Sequence, residues 1–472
     1  MDAAQQVRSL QDLIDSTPNL VEYFRNDTVA PHSRNRPGPS PVPAEFSNWR
    51  DEQHAWREAA VLFDQSHHMP ETFLKGPDAL KLLTRIGMNS FANFEPGRAK
   101  QLIGCNSLGQ VIGESVLHYL GKDSFELISG MHLQDWVQFN ALTGGYDVTI
   151  ERDNQTSDNS TGRTNFRFGM DGPNAEAIFQ SVVEGGAPDI PFFRTARVRI
   201  AGCEVLALRH GMAGHKGVEL SGPYAEGPRV RAALLEAGKR HRLVQGGRLA
   251  YFSTPSEGGW LAYPLPAVYT DPELRAFRQW LPATSWAGRA QLSGSLVAKR
   301  IDDYYVTPWD LGVNHLMKFD HDFIGRGALE AMVDRPHRRK VTLVWNKEDV
   351  ARIQGSLFQP GVPYKYLELP VASYGFPQAD AVHDASGRLI GMSGFCGYSG
   401  NEAEMLSLAV VEASHSEPGT AVTLTWGEPE PGTRKPQVER HRQLEVRATV
   451  APAPYAAAVR KMKRAGIGSA AA

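Results

Sequence analysis

The run FLKGPDALKLL (73–83) holds three instructions in sequence: a short apolar strand, a Gly76-Pro77 turn, and a helical pattern opening at Ala79. The same order recurs twice. FRFGMDGPNAEAIFQSV (166–182) places Gly172, Pro173 and Ala175 between its strand and its helix, and VELSGPYAEGPRVRAALLEAG (218–238) places Gly222, Pro223 and Ala225 there. Glycine permits the tight turn out of a strand. Proline suits the first helical turn, where its missing N–H costs nothing. Three such units predict repeated strand–helix modules in an α+β fold. They are not phosphate loops, because GxxxxGK[ST] is absent and GMAGHKG (211–217) lacks GxGxxG spacing.

Working outward, residues 5–25 predict a helix. PHSRNRPGPSPVP (31–43) carries five prolines and cannot form regular hydrogen-bonded structure. It reads as an extended arm or as a tether. In EFSNWRDEQHAWREAAVLFD (45–64), Ser47 and Asn48 are placed to cap a helix over about 49–60. Beyond about residue 335 the texture changes. RKVTLVWN, RLIGMSGF, LSLAVVEA, TAVTLTWG and LEVRATVA read as strands, separated by turns such as DASGR and EPGT. This predicts a small β-barrel or sandwich. The expected divisions are 1–43 (helix and arm), 44–335 (α+β) and 336–472 (β-rich).

The 472 residues are 42% apolar, enough for a sizeable core, and carry a net charge of −2. That balance argues against nucleic acid or an anionic membrane as partner. Three scattered cysteines argue against a disulfide framework. No run of 18 apolar residues occurs, so a soluble cytoplasmic protein is expected.

LFDQSHHMP (62–70) ends an apolar segment with Asp64, Gln65, Ser66, His67 and His68. HEXXH is absent, and adjacent histidines chelate poorly from one strand, so no metal is expected. If the segment is extended, His67 and His68 face opposite ways and do different jobs.

LFDQSHHM, GRAKQ (97–101), GQVIGESVLHYL (109–120), RHGMAGHKGVELSGP (209–223) and KFDHDFIGRGAL (318–329) resemble the glycine-cleavage T-protein, or aminomethyltransferase, family. The likeness covers the chain from about residue 44. DYYVTPWDLG (303–312) and GTRKPQVERH (432–441) are similar to its tetrahydrofolate-dependent aromatic O-demethylase branch, which acts on vanillate, 3-O-methylgallate or syringate. The resemblance implies a three-lobed cloverleaf: two intertwined ferredoxin-like α+β lobes and a C-terminal β-barrel or jelly roll.

It also implies tetrahydrofolate as co-substrate and a set of site residues. His68 and Tyr251, in GGRLAYFSTP (246–255), form the catalytic pair. Glu219 receives the pterin, Trp260 walls the folate, and Gln65 and Ser66 lie toward the pterin. Glu114 matches an acid near N5, although Gly113 departs from the family's acid pair. On the substrate side, Gly130 falls where vanillate demethylase carries an arginine. His132, or His32, Arg34 and Arg36 of the arm, would then meet the substrate carboxylate, and the freed space favours syringate. His67 stands beside the substrate or serves as support. The other readings are an aminomethyl or sulfonium methyltransferase, or a folate-binding protein without catalysis. The sequence leaves monomer or homodimer open.

Overall fold

The computed structural model describes residues 8–28, 41–212, 216–261 and 264–461. The first eleven strands are β1 (Ala60–Asp64), β2 (Glu71–Lys75), β3 (Ala99–Cys105), β4 (Val111–Gly121), β5 (Ser124–Ile128), β6 (Thr149–Asp153), β7 (Asn165–Asp171), β8 (Thr195–Ile200), β9 (Cys203–Leu208), β10 (Val218–Pro223) and β11 (Leu243–Gly246). They build two sheets. One is five-stranded, in the order β3-β4-β5-β2-β6; the other is six-stranded, in the order β11-β1-β7-β10-β9-β8. β12 (Arg339–Trp345), β13 (Asp380–His383), β14 (Leu389–Ser399), β15 (Glu404–Val411), β16 (Ala421–Trp426) and β17 (Leu444–Ala451) close into a barrel.

All three strand–turn–helix units form. β2 leads to the helix Ala79–Ile86, β7 to Ala175–Val182, and β10 through a short 3-10 turn to Gly227–Gly238. Gly76 and Gly172 hold φ of +146° and +118°, and a Cβ there would lie 2.3 Å from Asp147 O and 2.7 Å from Ala59 O. No other residue fits either turn. Pro77 and Pro173 sit ahead of the caps Asp78 and Asn174, in the turn and not in the first helical turn. The units also do not map one to a lobe, because β7 and β10 are neighbours in one sheet.

The expected 5–25 helix is two helices, Leu10–Ser16 and Leu20–Asn26. Pro18 stands between them and cannot continue the first. Asn48 caps the helix Trp49–Glu58, as the sequence predicts. Most of the proline-rich arm, with His32, Arg34 and Arg36, lies outside the described residues.

Burial explains the strand sequences. β17, LEVRATVA, alternates buried and exposed, with one face in the barrel core beside Leu343, Trp345 and Trp426. β1 buries Ala60 through Phe63 without a break. Ala60 and Leu62 pack with Phe168, Ile178 and Leu220, while Val61 and Phe63 pack with Trp49, Trp56 and Tyr251. A strand covered on both faces reads as a continuous apolar run.

β1 and β2 are consecutive but lie in different sheets. Residues 65–70 therefore cross between the sheets, and residues 154–164 cross back. The crossings run side by side, with the Thr156 N–H donating to His67 O at 2.9 Å. This is how the two α+β lobes intertwine.

Candidate functional site

The outbound crossing is a turn, because β1 must leave one sheet before β2 enters the other. Its two histidines still part company. His67 turns to the return crossing: its Nδ1 lies 2.9 Å from Thr156 Oγ1, and Tyr224 meets its ring edge-on. These contacts suit the supporting role of the two expected for His67. His68 turns to Tyr251, with ring centroids 4.6 Å apart, and to Phe252 at 5.5 Å.

Tyr251 sits on the helix Arg248–Ser253, whose start is held from several directions. Buried Glu52 accepts from Gly247 N at 2.8 Å, and Pro43 and Ala44 carbonyls accept from Arg248 N and Leu249 N. Phe63, at the end of β1, packs edge-on to the Tyr251 ring at 5.2 Å. The N-terminal segment, β1 and this helix therefore converge to place one hydroxyl.

Burial, with help from the nearby His67 and Arg163 charges, pulls His68 down to about 3 against the pull of Glu219. His68 is neutral at neutral pH. Its Nε2 is shielded from water and has no hydrogen-bond partner among the described residues. Gln65 Oε1 is orphaned in the same way, while its amide nitrogen reaches Met212 Sδ at 3.8 Å. Buried acceptors of this kind cost free energy unless a partner arrives.

Glu219, on β10, is buried, with His210 Nδ1 2.9 Å from its Oε1. Burial pushes its carboxyl up, but His210, Arg167 and His118 outweigh that and bring it down to about 2. A fixed carboxylate and the orphaned Gln65 Oε1, beside the Tyr–His pair, suit a ligand that presents several N–H groups. A pterin is such a ligand, so the residues fit tetrahydrofolate.

Glu114 lies on β4 and accepts from Gln101 Nε2 and from the indole N–H of Trp260, so the sequence-expected acid and aromatic wall touch each other. Ser66 spends its hydroxyl on the main chain of Arg167, accepting from its N at 2.9 Å and approaching its O at 3.3 Å. Its place is structural, and the expected pterin contact has no free hydroxyl behind it. His132 opens the helix Met131–Thr143 beside Gly113, and burial takes it down to about 4. In the free protein it offers a carboxylate a neutral ring, not a cation.

Gly130 requires a correction. It has φ +68°, and a Cβ would fall 1.6 Å from Glu114 O. The close approach of β4 demands glycine, so this backbone has no room for an arginine whose loss would widen a pocket.

The sequence reading missed the charged seam behind the site. Arg167 on β7 bonds Glu71 of β2 at 2.9 Å and Glu126 of β5 at 2.7 Å, and His118 of β4 lies 3.1 Å from Glu126. All four are buried, so the seam spans both sheets. Burial and Glu126 hold Glu71 above the usual carboxylate range against Arg167. For Glu126 burial also opposes ionisation, but Arg167 and His118 prevail and lower it. The available signal was an ionisable residue set in a largely apolar strand: Glu71 opening ETFLK, His118 in VLHYL, Glu126 in FELI and Arg167 in FRFGM. Among the described residues, no three His, Cys, Asp or Glu side chains form a group able to hold a metal ion. No helix there is long and apolar enough to cross a membrane.

The two-sheet core with its closed barrel is the aminomethyltransferase fold. The chain belongs to the GCVT family: the GCVT N-terminal domain model matches residues 21–265. It is 44% identical to a syringate O-demethylase of Sphingobium sp. (strain NBRC 103272 / SYK-6), over 96% of this chain and 97% of that protein. It is 30% identical to a sesamin methylene transferase of Sinomonas sp. (strain No.22), over 88% and 90%. The aminomethyltransferase T of Bartonella henselae shares the fold, with a TM-score of 0.58, 16% identity, and coverage of 92% of this chain and 96% of that one. The protein is a methyltransferase that uses tetrahydrofolate as its methyl acceptor.

Proposed function

We propose that the protein is an aryl-ether O-demethylase of the cytoplasm, acting in the breakdown of lignin-derived aromatics. It moves the methyl group of a methoxylated aromatic acid to N5 of tetrahydrofolate and leaves a catechol-type product. One observation carries this reading: His68 and Tyr251, far apart in sequence, meet with ring centroids 4.6 Å apart, close enough to the buried Glu219 carboxylate for its charge to act on His68. A binding protein needs Glu219 but has no use for that pair.

Phenolate is a poor leaving group unless its oxygen receives a proton. Tetrahydrofolate supplies the accepting amine and gives up the N5 proton as the methyl arrives. Tyr251 donates its hydroxyl proton to the ether oxygen as the methyl–oxygen bond breaks. His68, neutral beforehand, relays the proton released from N5 to the tyrosinate, so that ether and tetrahydrofolate become phenol and 5-methyltetrahydrofolate with no net change in protons. Glu219, Gln65 and Trp260 hold the folate so that N5 lines up with the methyl carbon, and alignment contributes several kcal/mol. Glu114 tethers Trp260. Syringate is the first substrate to test, on the strength of the 44% relative and not of Gly130. His132 is the carboxylate contact within reach of the helix start.

The test is direct. Incubation with tetrahydrofolate and syringate, vanillate or 3-O-methylgallate should yield 5-methyltetrahydrofolate, read by mass. No methyl transfer from any of the three ethers would overturn the proposal.

A further inference from the structure

Arg163 stands on the return crossing, in a segment the reaction does not otherwise use. Its side chain is 2% exposed, and every polar contact holds backbone or acid. Nη2 donates to Met69 O at 2.8 Å. Nη1 donates to Asn154 O and, at 3.3 Å, to Asp153 O. Nε faces Asp153 Oδ2 at 3.5 Å. One planar cation thus joins the carbonyl next to His68 with the end of β6. The Asp153 carboxylate accepts in turn from Thr164 N at 2.8 Å, which fixes the chain on the other side of Arg163.

The crossing that carries His68 is otherwise braced around that residue but not at it. Gln65 N bonds Arg167 O, His67 is pinned by Thr156, and Pro70 O accepts from Ser129 N and Gln134 Nε2. His68 Nε2 has no partner to hold it. Its ring rests against Tyr251 and Phe252 without a hydrogen bond to fix its angle, so its direction depends on the peptide that follows, and Arg163 grips that peptide's neighbour. A guanidinium makes three such bonds in a fixed plane, which an ammonium cannot.

We infer that Arg163 is the positioning residue for His68, aiming its imidazole at Tyr251 by clamping the Met69 carbonyl to the return crossing. This rests on the assignment of His68 to the acid–base pair.

The test compares steady-state kinetics of Arg163→Gln, Arg163→Lys, His68→Gln and the double variant His68→Gln/Arg163→Gln, with tetrahydrofolate and syringate. Arg163→Gln should lower kcat 10- to 100-fold while shifting KM for tetrahydrofolate less than about threefold. Arg163→Lys should recover only part of kcat. In the His68→Gln background the Arg163→Gln change should cost less than twofold, because the group it aims is gone. Tetrahydrofolate binding, measured calorimetrically on each variant, shows that the site is folded. Equal losses with and without His68 would overturn the inference, as would unchanged kcat in folded Arg163→Gln. If Arg163→Gln fails to bind tetrahydrofolate, Arg163→Lys decides, and full activity there overturns it. Wild-type protein without methyl transfer would instead sink the underlying reading.

Discussion

The molecule buries two ionic knots, one behind the site and one where the barrel meets the rest of the chain. In the second, Lys365 and Glu428 pair at 2.8 Å with almost no exposure. Glu428 also accepts from Gly294 N, Asp380 from Ser295 N and Gln378, and Lys435 donates to Leu292 O. The Lys365 ammonium lies over Tyr374 and Trp426. Arg25 joins from the helix Leu20–Asn26 through Gly294 O. Glu428 Oε2 and His441 Nε2 face each other at 3.4 Å, and neither atom makes a hydrogen bond. The seam of Arg167, Glu71, Glu126 and His118 leads to Glu219, His68 and Gln65, where buried polar atoms also stand without partners. Buried charge with unmet hydrogen-bonding groups therefore does not by itself mark a site; the seam differs in backing the Glu219 carboxylate and the Tyr251–His68 pair.

The largest expected effect lies on the seam side. Tyr251→Phe should lower kcat about 10²- to 10⁴-fold, the usual range for general acid–base catalysis, with tetrahydrofolate binding kept. Lys365→Met should leave kcat per folded molecule within about twofold. A comparable loss from both would erase the distinction.

In stability the knots should look alike. Arg167→Met and Lys365→Met each strand a buried carboxylate, so each should cost about 3–5 kcal/mol in urea unfolding. An Arg167→Met protein as stable as the wild type would mean that the seam shares its charge differently. Glu219→Gln should weaken tetrahydrofolate binding roughly 10- to 100-fold by calorimetry, since hydrogen bonds to a charged group contribute ~1.5–3 kcal/mol. Asp380→Asn should leave that affinity alone.

The smallest effect separates the two acids by pH. Burial raises Asp380 to about 6, despite Lys365. Its contribution to stability is complete below the ordinary carboxylate pKa of ~4 and is lost as pH rises through about 6. Glu219, held at about 2, contributes above ~4.3 and loses that contribution as pH falls toward 2. Unfolding curves from pH 4 to 7 should therefore flatten for Asp380→Asn. The gap between wild type and Glu219→Gln should narrow below pH 4.5. Parallel curves for both variants would contradict these assignments.

Local rules made much of the fold readable. Turn glycines, the Asn48 cap and the alternation in LEVRATVA are set by neighbours within a few residues, and the structure follows them. β13 escaped because its four residues carry too little pattern. The helix over 5–25 failed at one proline. The site was less legible. That His68 should meet Tyr251 came from a resemblance, because no periodicity links residues so far apart. The turn at 65–70 was invisible for a related reason: nothing local says that β1 and β2 belong to different sheets. Gly130 misled because a backbone clash, and not a pocket, dictates the residue there.

The placement of β1 also sets an order of assembly. Its partners are β7 and β11, with Ala60 opposite Leu243, whereas every strand of the five-stranded sheet lies between residues 71 and 153. During synthesis that sheet can finish while AVLF waits with both edges bare, first for β7 and then for β11. An unpaired apolar strand is a template for wrong pairing. A nascent chain that has released residues up to 153 but not yet β7 holds a complete first sheet and a sticky, unclaimed strand, so this is the interval in which a chaperone has most to shield.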